Sequence, residues 1–190
     1  VDARASGTDG GPLLELVGRR RSCRAYRPDP ISDDALVYLL ECARLAPSSC
    51  NRQPWRFAVV RDPALRRRLV REGCLPGLKL GWAESAPVLI ALGMEREVVT
   101  HILGAAVSRI DYPWIDMGIA GEHLVLAATE LGLGTCWIGW LKPAKVRALV
   151  GWRRSVWPVA LIAVGRPAWT EPPRPPAERR HPLEAMVRWL

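Results

Sequence analysis

Histidine is scarce in this sequence and lysine almost missing, and each shortage removes a class of chemistry. The three histidines, His101, His123 and His181, stand in no HExxH or HxH pattern, which argues against a histidine-built metal site. His123 falls within an apolar helical pattern and reads as a satisfied core histidine. The five cysteines (Cys23, Cys42, Cys50, Cys74, Cys136) form no CxxC pair. Neither a zinc site nor a disulfide framework follows, and reduced thiols in a cytosol fit best. No GxSxG, GxxxxGK[ST] or GxGxxG occurs, so the common hydrolase, P-loop and Rossmann signals are absent. The longest uncharged apolar stretch, residues 131–141, is about half of what a spanning helix needs. The N-terminal VDARASGTDGG has no apolar signal-peptide core and reads as a frayed, disordered tail over residues 1–11, so a cytoplasmic protein is expected. There is no obvious acid/base pair. If the chain is an enzyme, its hard chemistry belongs to a cofactor.

What is present is a globular composition. Of 190 residues, 49% are hydrophobic and 24% charged, which fits one domain over residues 12–190. The net charge is +8, and the basic residues are nearly all arginine, Lys79, Lys142 and Lys145 being the exceptions. Guanidinium favours bidentate contact with phosphate or carboxylate, so an anionic partner is worth seeking. A GC-rich codon bias would write the same arginine surplus.

Pro12 opens a short helix that runs into the basic cluster at residues 19–24. Ser32 caps a second helix, with Asp33 and Asp34 in its first turn and Leu36, Leu39, Leu40 and Ala43 on one face. Residues 55–60 are β-rich and residues 64–72 form a basic surface helix. The apolar run 86–92 suits a buried strand. A long apolar helix follows from residue 114 to about 131, then strands near 135–138 and 159–165, with a short helix after Pro143 between them. Six prolines from Pro167 to Pro182, counting both ends, exclude regular structure there, while residues 183–190 turn apolar again, as an arm that packs on something does. Helices alternating with about four strands give an α/β or α+β sandwich.

Two segments could carry chemistry. Arg20, Arg21 and Arg24 surround Ser22: three guanidiniums and a hydroxyl, enough to hold a phosphate, or simply a solvated basic turn. The second is the proline-bounded polar loop from Ala46 to Trp55, in which Ser48, Ser49, the amides Asn51 and Gln53, and Arg52 could contact a polar ring edge or phosphate.

Together and in order, these segments resemble the FMN-dependent nitroreductase family. Residues 20–26 (RRSCRAY) resemble its RRSxRxF/Y box, and residues 46–57 its APSxxNxQPWxF box. Residues 116–120 and 126–134 are similar to its central helix and glycine exit, and residues 136–139 to the next strand and turn. The pairs Val164 to Pro167 and Arg179 to Glu184 resemble the closing strand and basic return. The similarity runs from about residue 12 to 187, nearly the whole chain.

The resemblance implies an α+β sandwich, a mostly antiparallel sheet flanked by helices, in an intertwined homodimer with exchanged C-terminal arms and two interfacial FMN sites. Arg20, Arg21, Ser22 and Arg24 then match positions that hold the phosphate, the ribityl chain and the N1/O2 side of the flavin. Pro47, Ser48, Ser49 and Asn51 match the loop that reaches the flavin from the partner. Trp137, Ile138 and Gly139 match the turn beside the ring, where a backbone N–H faces N5. Arg180, with Arg179, matches the basic position that closes over the phosphate. The implied activity is a ping-pong transfer of hydride from NAD(P)H through flavin N5 to a nitroaromatic, quinone or similar small aromatic acceptor, with no catalytic side chain and no metal. Gly139 stands where some larger members carry an acidic residue, and Lys79 lies near, but out of register with, their flavin lysine. Residues 73–82 and 94–114 match nothing in the family pattern. Trp82, Trp114, Trp137 and Trp140 are candidates to line an aromatic pocket over the flavin. Two other readings remain. The same flavin site suits dehalogenation, dehydrogenation or flavin breakdown. A basic nucleic-acid-binding module would need a continuous arginine and tryptophan stripe, and these residues are scattered, so no nucleic-acid or membrane partner is expected.

Overall fold

The computed structural model describes residues 11–95, 110–169 and 180–190. In chain order the elements are α1 (Pro12–Arg19), α2 (Asp33–Arg44), β1 (Trp55–Val60), α3 (Pro63–Gly73), α4 (Gly81–Ser85), β2 (Val88–Glu95), α5 (Tyr112–Glu130), β3 (Gly134–Ile138), α6 (Pro143–Leu149) and β4 (Val156–Gly165). The tail at residues 1–10, His101, Arg179 and most of the segment 94–114 lie outside the described residues.

The strands form one sheet in the order β1-β2-β4-β3, with every neighbouring pair antiparallel. Helices cover both faces, which is why β2 reads as an unbroken apolar run rather than an alternating one. Leu36 and Leu39 of α2 and Leu124 and Ala128 of α5 pack on Ile90, Ile162 and Val164. On the opposite face, Leu69 of α3, Ala83 of α4 and Val146 of α6 pack on Leu89, Leu161 and Ala163. The fold class is the α+β sandwich expected from the sequence.

Local chemistry explains most boundaries. Pro12, Pro63, Pro113 and Pro143 each stand in a helix's first turn, where the missing N–H costs nothing. The Ser32 hydroxyl accepts from the Ala35 N–H at 3.3 Å and caps α2. β4 starts three residues earlier than its apolar run suggests. Pro158 pairs opposite Gly93 while Ala160 pairs opposite Leu92, so Val159 is the extra residue of a bulge that accommodates the proline. Gly93 is required there, because a Cβ would lie 2.5 Å from the Trp152 ring.

α5 is 19 residues long, about 28 Å, and is the helix around which the candidate site is built. Its buried positions include Asp116, Met117, Ala120, Gly121, Leu124 and Val125. α1 is the opposite case: amphipathic, yet with no buried residue, and with Leu13 and Leu14 65% and 67% exposed.

Candidate functional site

The arginine-rich segment is fixed by backbone pairing. α1 ends where the Arg20 N–H donates to Leu16 O at 3.2 Å. The chain then runs parallel to β3: Ser22 bridges Thr135, and the Cys23 N–H donates to Thr135 O at 2.7 Å. Gly134 permits this approach, since a Cβ there would lie 2.6 Å from the Cys23 Cβ. Partners in a parallel pair point the same way, so Ser22, Thr135 and Trp137 share the α5 face, while Cys23, Cys136 and Ile138 share the other. The Tyr26 hydroxyl donates to Cys23 O at 2.6 Å and closes the segment from below.

The arginines diverge from this backbone. Arg20 places its Nε 4.0 Å from the Glu122 carboxylate of α5. Glu122 is half-buried; desolvation raises its pKa above the ordinary carboxylate range, against the opposing pull of Arg20 and His123. Arg21 donates from Nη1 to Gly18 O and, at 2.8 Å, to Arg20 O. With Arg19, Thr129, Gly134 and Trp169 it bounds a cleft of about 310 Å³. Desolvation, and then the charge of Arg20, lowers its pKa. Arg24 holds its guanidinium carbon 5.8 Å from the centroid of the Trp82 ring.

The polar loop is built against the N-terminal part of α5. Asp116, only 4% exposed, accepts the Ser49 N–H on Oδ1 at 3.0 Å. The Ser48 hydroxyl accepts the Gln53 N–H at 3.0 Å, and the Gln53 amide donates to Asn51 O and Oδ1. Cys50, Asn51 and Gln53 all have positive φ, 51°, 54° and 51°, a concentration of left-handed non-glycine residues that only over-determined loops sustain. Pro47 and Asn51 are exposed, and Ser48 and Ser49 half-buried. Asp116 is the residue that sequence reasoning missed. The available signal was an acid within the first turns of an otherwise apolar helix.

At the end of β3, a Cβ on Gly121 would collide with the Trp137 ring, so the indole lies on the α5 backbone with part of its surface open. Ile138 is buried, and a Cβ on Gly139 would meet nothing beyond its chain neighbours within 4 Å. Trp82 packs on the α3, α4 and α6 face and Trp137 on the α5 face, so these two do not line one aromatic pocket. Trp114 and Trp140 are exposed, and so is Lys79. His123 Nδ1 lies 3.2 Å from Cys42 O, so this half-buried ring has a partner. Among the described residues, no group of three or more metal-ligating side chains gathers, and no helix is long and apolar enough to cross a membrane. Arg180 is exposed at the start of the C-terminal arm, where Leu183, Met186, Trp189 and Leu190 also face outward, Trp189 with 87% of its surface. One chain therefore holds two separate groups: the arginine segment with β3, and the loop docked on Asp116.

An antiparallel four-stranded sheet with helices on both faces and an arginine-rich segment laid along its β3 edge defines the α+β sandwich. The chain belongs to the nitroreductase family, whose pattern it matches over residues 17–72 and 75–166. It is 32% identical to a protein of Thermus thermophilus named NADH dehydrogenase, over 90% of this chain and 92% of that protein. It is 33% identical to the 5,6-dimethylbenzimidazole synthase of Rhodospirillum rubrum, over 89% and 92%. Its fold is similar to the crystal structure of a nitroreductase family protein from Clostridium difficile, with a TM-score of 0.75 and 26% identity, covering 92% of this chain and 96% of that one.

Proposed function

We propose that the chain is a cytoplasmic FMN-dependent oxidoreductase that draws electrons from NAD(P)H and passes them to a small electron-poor acceptor, such as a nitroaromatic or a quinone, as a homodimer. The observation that carries this reading is the parallel bridge between Ser22 and Thr135. It lays residues 20–24, about 13 Å of extended chain, alongside the strand that ends at the open backbone of Gly139. Such an edge suits a ligand with a phosphate at one end and a planar ring at the other. The residues present fit that group. Arg24 and Arg180 are in none of the ion pairs found among the described residues, and the carboxylate nearest Arg20 is the distant Glu122, 4.0 Å away. Arg20, Arg21, Ser22 and Arg180 would hold the phosphate and ribityl chain, with Arg179 beside them, and Arg24 the N1/O2 edge. Trp137, Ile138 and Gly139 would flank the ring. Bound FMN would supply two-electron transfer between the nicotinamide and the acceptor; the chain's task is to bind, orient and exclude water.

Two features support the dimer. The loop carrying Pro47, Ser48, Ser49 and Asn51 is docked on Asp116 of α5, and in a dimer it would serve the partner's site. The outward-facing apolar residues of α1 and of the arm form the kind of surface that association buries. Part of the remaining basic surface is paired. Arg27, Arg44, Arg61, Arg68, Arg71 and Arg153 each meet a carboxylate, which weighs against a nucleic-acid stripe. The relative named 5,6-dimethylbenzimidazole synthase favours one alternative, that the same flavin site serves a reaction other than acceptor reduction.

The reading is tested by titrating the full-length chain with FMN. Arg20→Ala and Arg180→Ala are each expected to weaken binding by about 1.5–3 kcal/mol per charged hydrogen bond lost. Affinities equal to that of the parent chain would contradict it.

A further inference from the structure

Trp82 stands far from the arginine cluster in sequence, yet it touches it. It stands on α4, a five-residue helix braced from several sides. Ala83 is fully buried, the Ser85 hydroxyl donates to Trp82 O at 2.8 Å, and Glu84 pairs with Arg71 at 2.8 Å. Arg66, from α3, donates to the carbonyls of Glu84 and Ala86. The Tyr26 ring lies 6.4 Å from the indole centroid, tilted by 34°, and Tyr26 is itself tied to Cys23 O. The indole is thus a half-buried shelf held from behind, and the Arg24 guanidinium carbon lies 5.8 Å from its centroid.

That contact has a particular chemical consequence. No carboxylate among the described residues pairs with Arg24, so its charge is not cancelled. A ring face attracts a cation through its quadrupole without using any guanidinium N–H donor. The side chain is therefore restrained while its charge and donors stay available to a ligand. The backbone on either side is restrained as well, at Cys23 by Thr135 and at Arg27 by Arg166 O, 2.9 Å away.

We propose that Trp82 is a positioning residue: its ring holds the Arg24 guanidinium in place for the bound flavin mononucleotide, and so sets how tightly the cofactor is retained. The inference rests on the reading of Arg24 as a flavin contact. The test is FMN titration of the full-length chain, followed by quenching of flavin fluorescence, across Trp82→Leu, Trp82→Phe, Arg24→Ala and the double variant Arg24→Ala/Trp82→Leu. Trp82→Leu is expected to weaken FMN binding about two- to fivefold. Trp82→Phe, which keeps a ring, is expected to stay closer to the parent chain, and Trp82→Leu is expected to add nothing once Arg24 is alanine. Trp82→Met fills the same space without a ring and replaces the leucine variant if that does not fold. The proposal is overturned if a non-aromatic replacement leaves affinity unchanged while Arg24→Ala lowers it, or if the loss is as large in the Arg24→Ala background. Unchanged affinity in Arg24→Ala itself overturns the reading of Arg24, and the proposal falls with it.

Discussion

The Ser49 N–H donates to the Oδ1 of Asp116 at 3.0 Å, and this bond ties a strained surface loop to the buried side of α5. The loop has three left-handed non-glycine residues within four positions, and without the anchor its own preferences would favour other conformations. Asp116→Ala leaves the Ser49 N–H unpartnered and is expected to lower stability by about 1–3 kcal/mol. Asp116→Asn keeps an acceptor oxygen and is expected to cost less. Urea unfolding of the three chains measures the order; equal midpoints would show that the loop stands without the carboxylate.

Gly121 and Trp137 form a second close relationship. A Cβ at position 121 would meet the indole, and Leu92 stands behind it. Gly121→Ala is expected to displace the ring and to destabilise by about 1–3 kcal/mol, the usual cost of overfilling a packed contact. Gly118→Ala, on the same helix, meets nothing within 4 Å and serves as the control. The pair is read by thermal unfolding, and similar losses in both variants would argue against the contact.

The buried thiols fix a pH dependence. Burial pushes the Cys74 pKa up to about 11, with Lys142 pulling weakly the other way, and burial also raises Cys23 and Cys136. An ordinary thiol titrates near about 8.5, so above that pH the unfolded chain has released a proton that the folded chain still binds. Stability is therefore full below about 8.5 and falls as the pH rises through about 11. Denaturant midpoints across that window are expected to decline, and Cys74→Val is expected to make the decline shallower. An unchanged slope would place the alkaline loss elsewhere.

Much of the architecture was legible in the sequence because local chemistry decided it. The prolines in the first turns of α1, α3, α5 and α6, the Ser32 cap and the apolar runs of β2 and β4 each act on near neighbours. The early half of β4 was not legible, because Pro158 argues against a strand until the bulge opposite Gly93 absorbs it. α4 was missed because five residues carry too little periodicity to register. The arginine segment and the polar loop were recognisable as candidates from their residue types. Their anchors were not: Asp116, Glu122 and Trp82 lie tens of residues away in sequence and meet them only through the tertiary fold.

The central claim is that two chains come together around flavin mononucleotide held by arginines from both ends of the sequence. It is tested most directly by light scattering with visible absorbance on the full-length chain after loading with excess FMN and removal of free cofactor. The account predicts a yellow species of twice the 21.1 kDa chain mass, with one FMN per chain. A colourless species at the mass of one chain would contradict it.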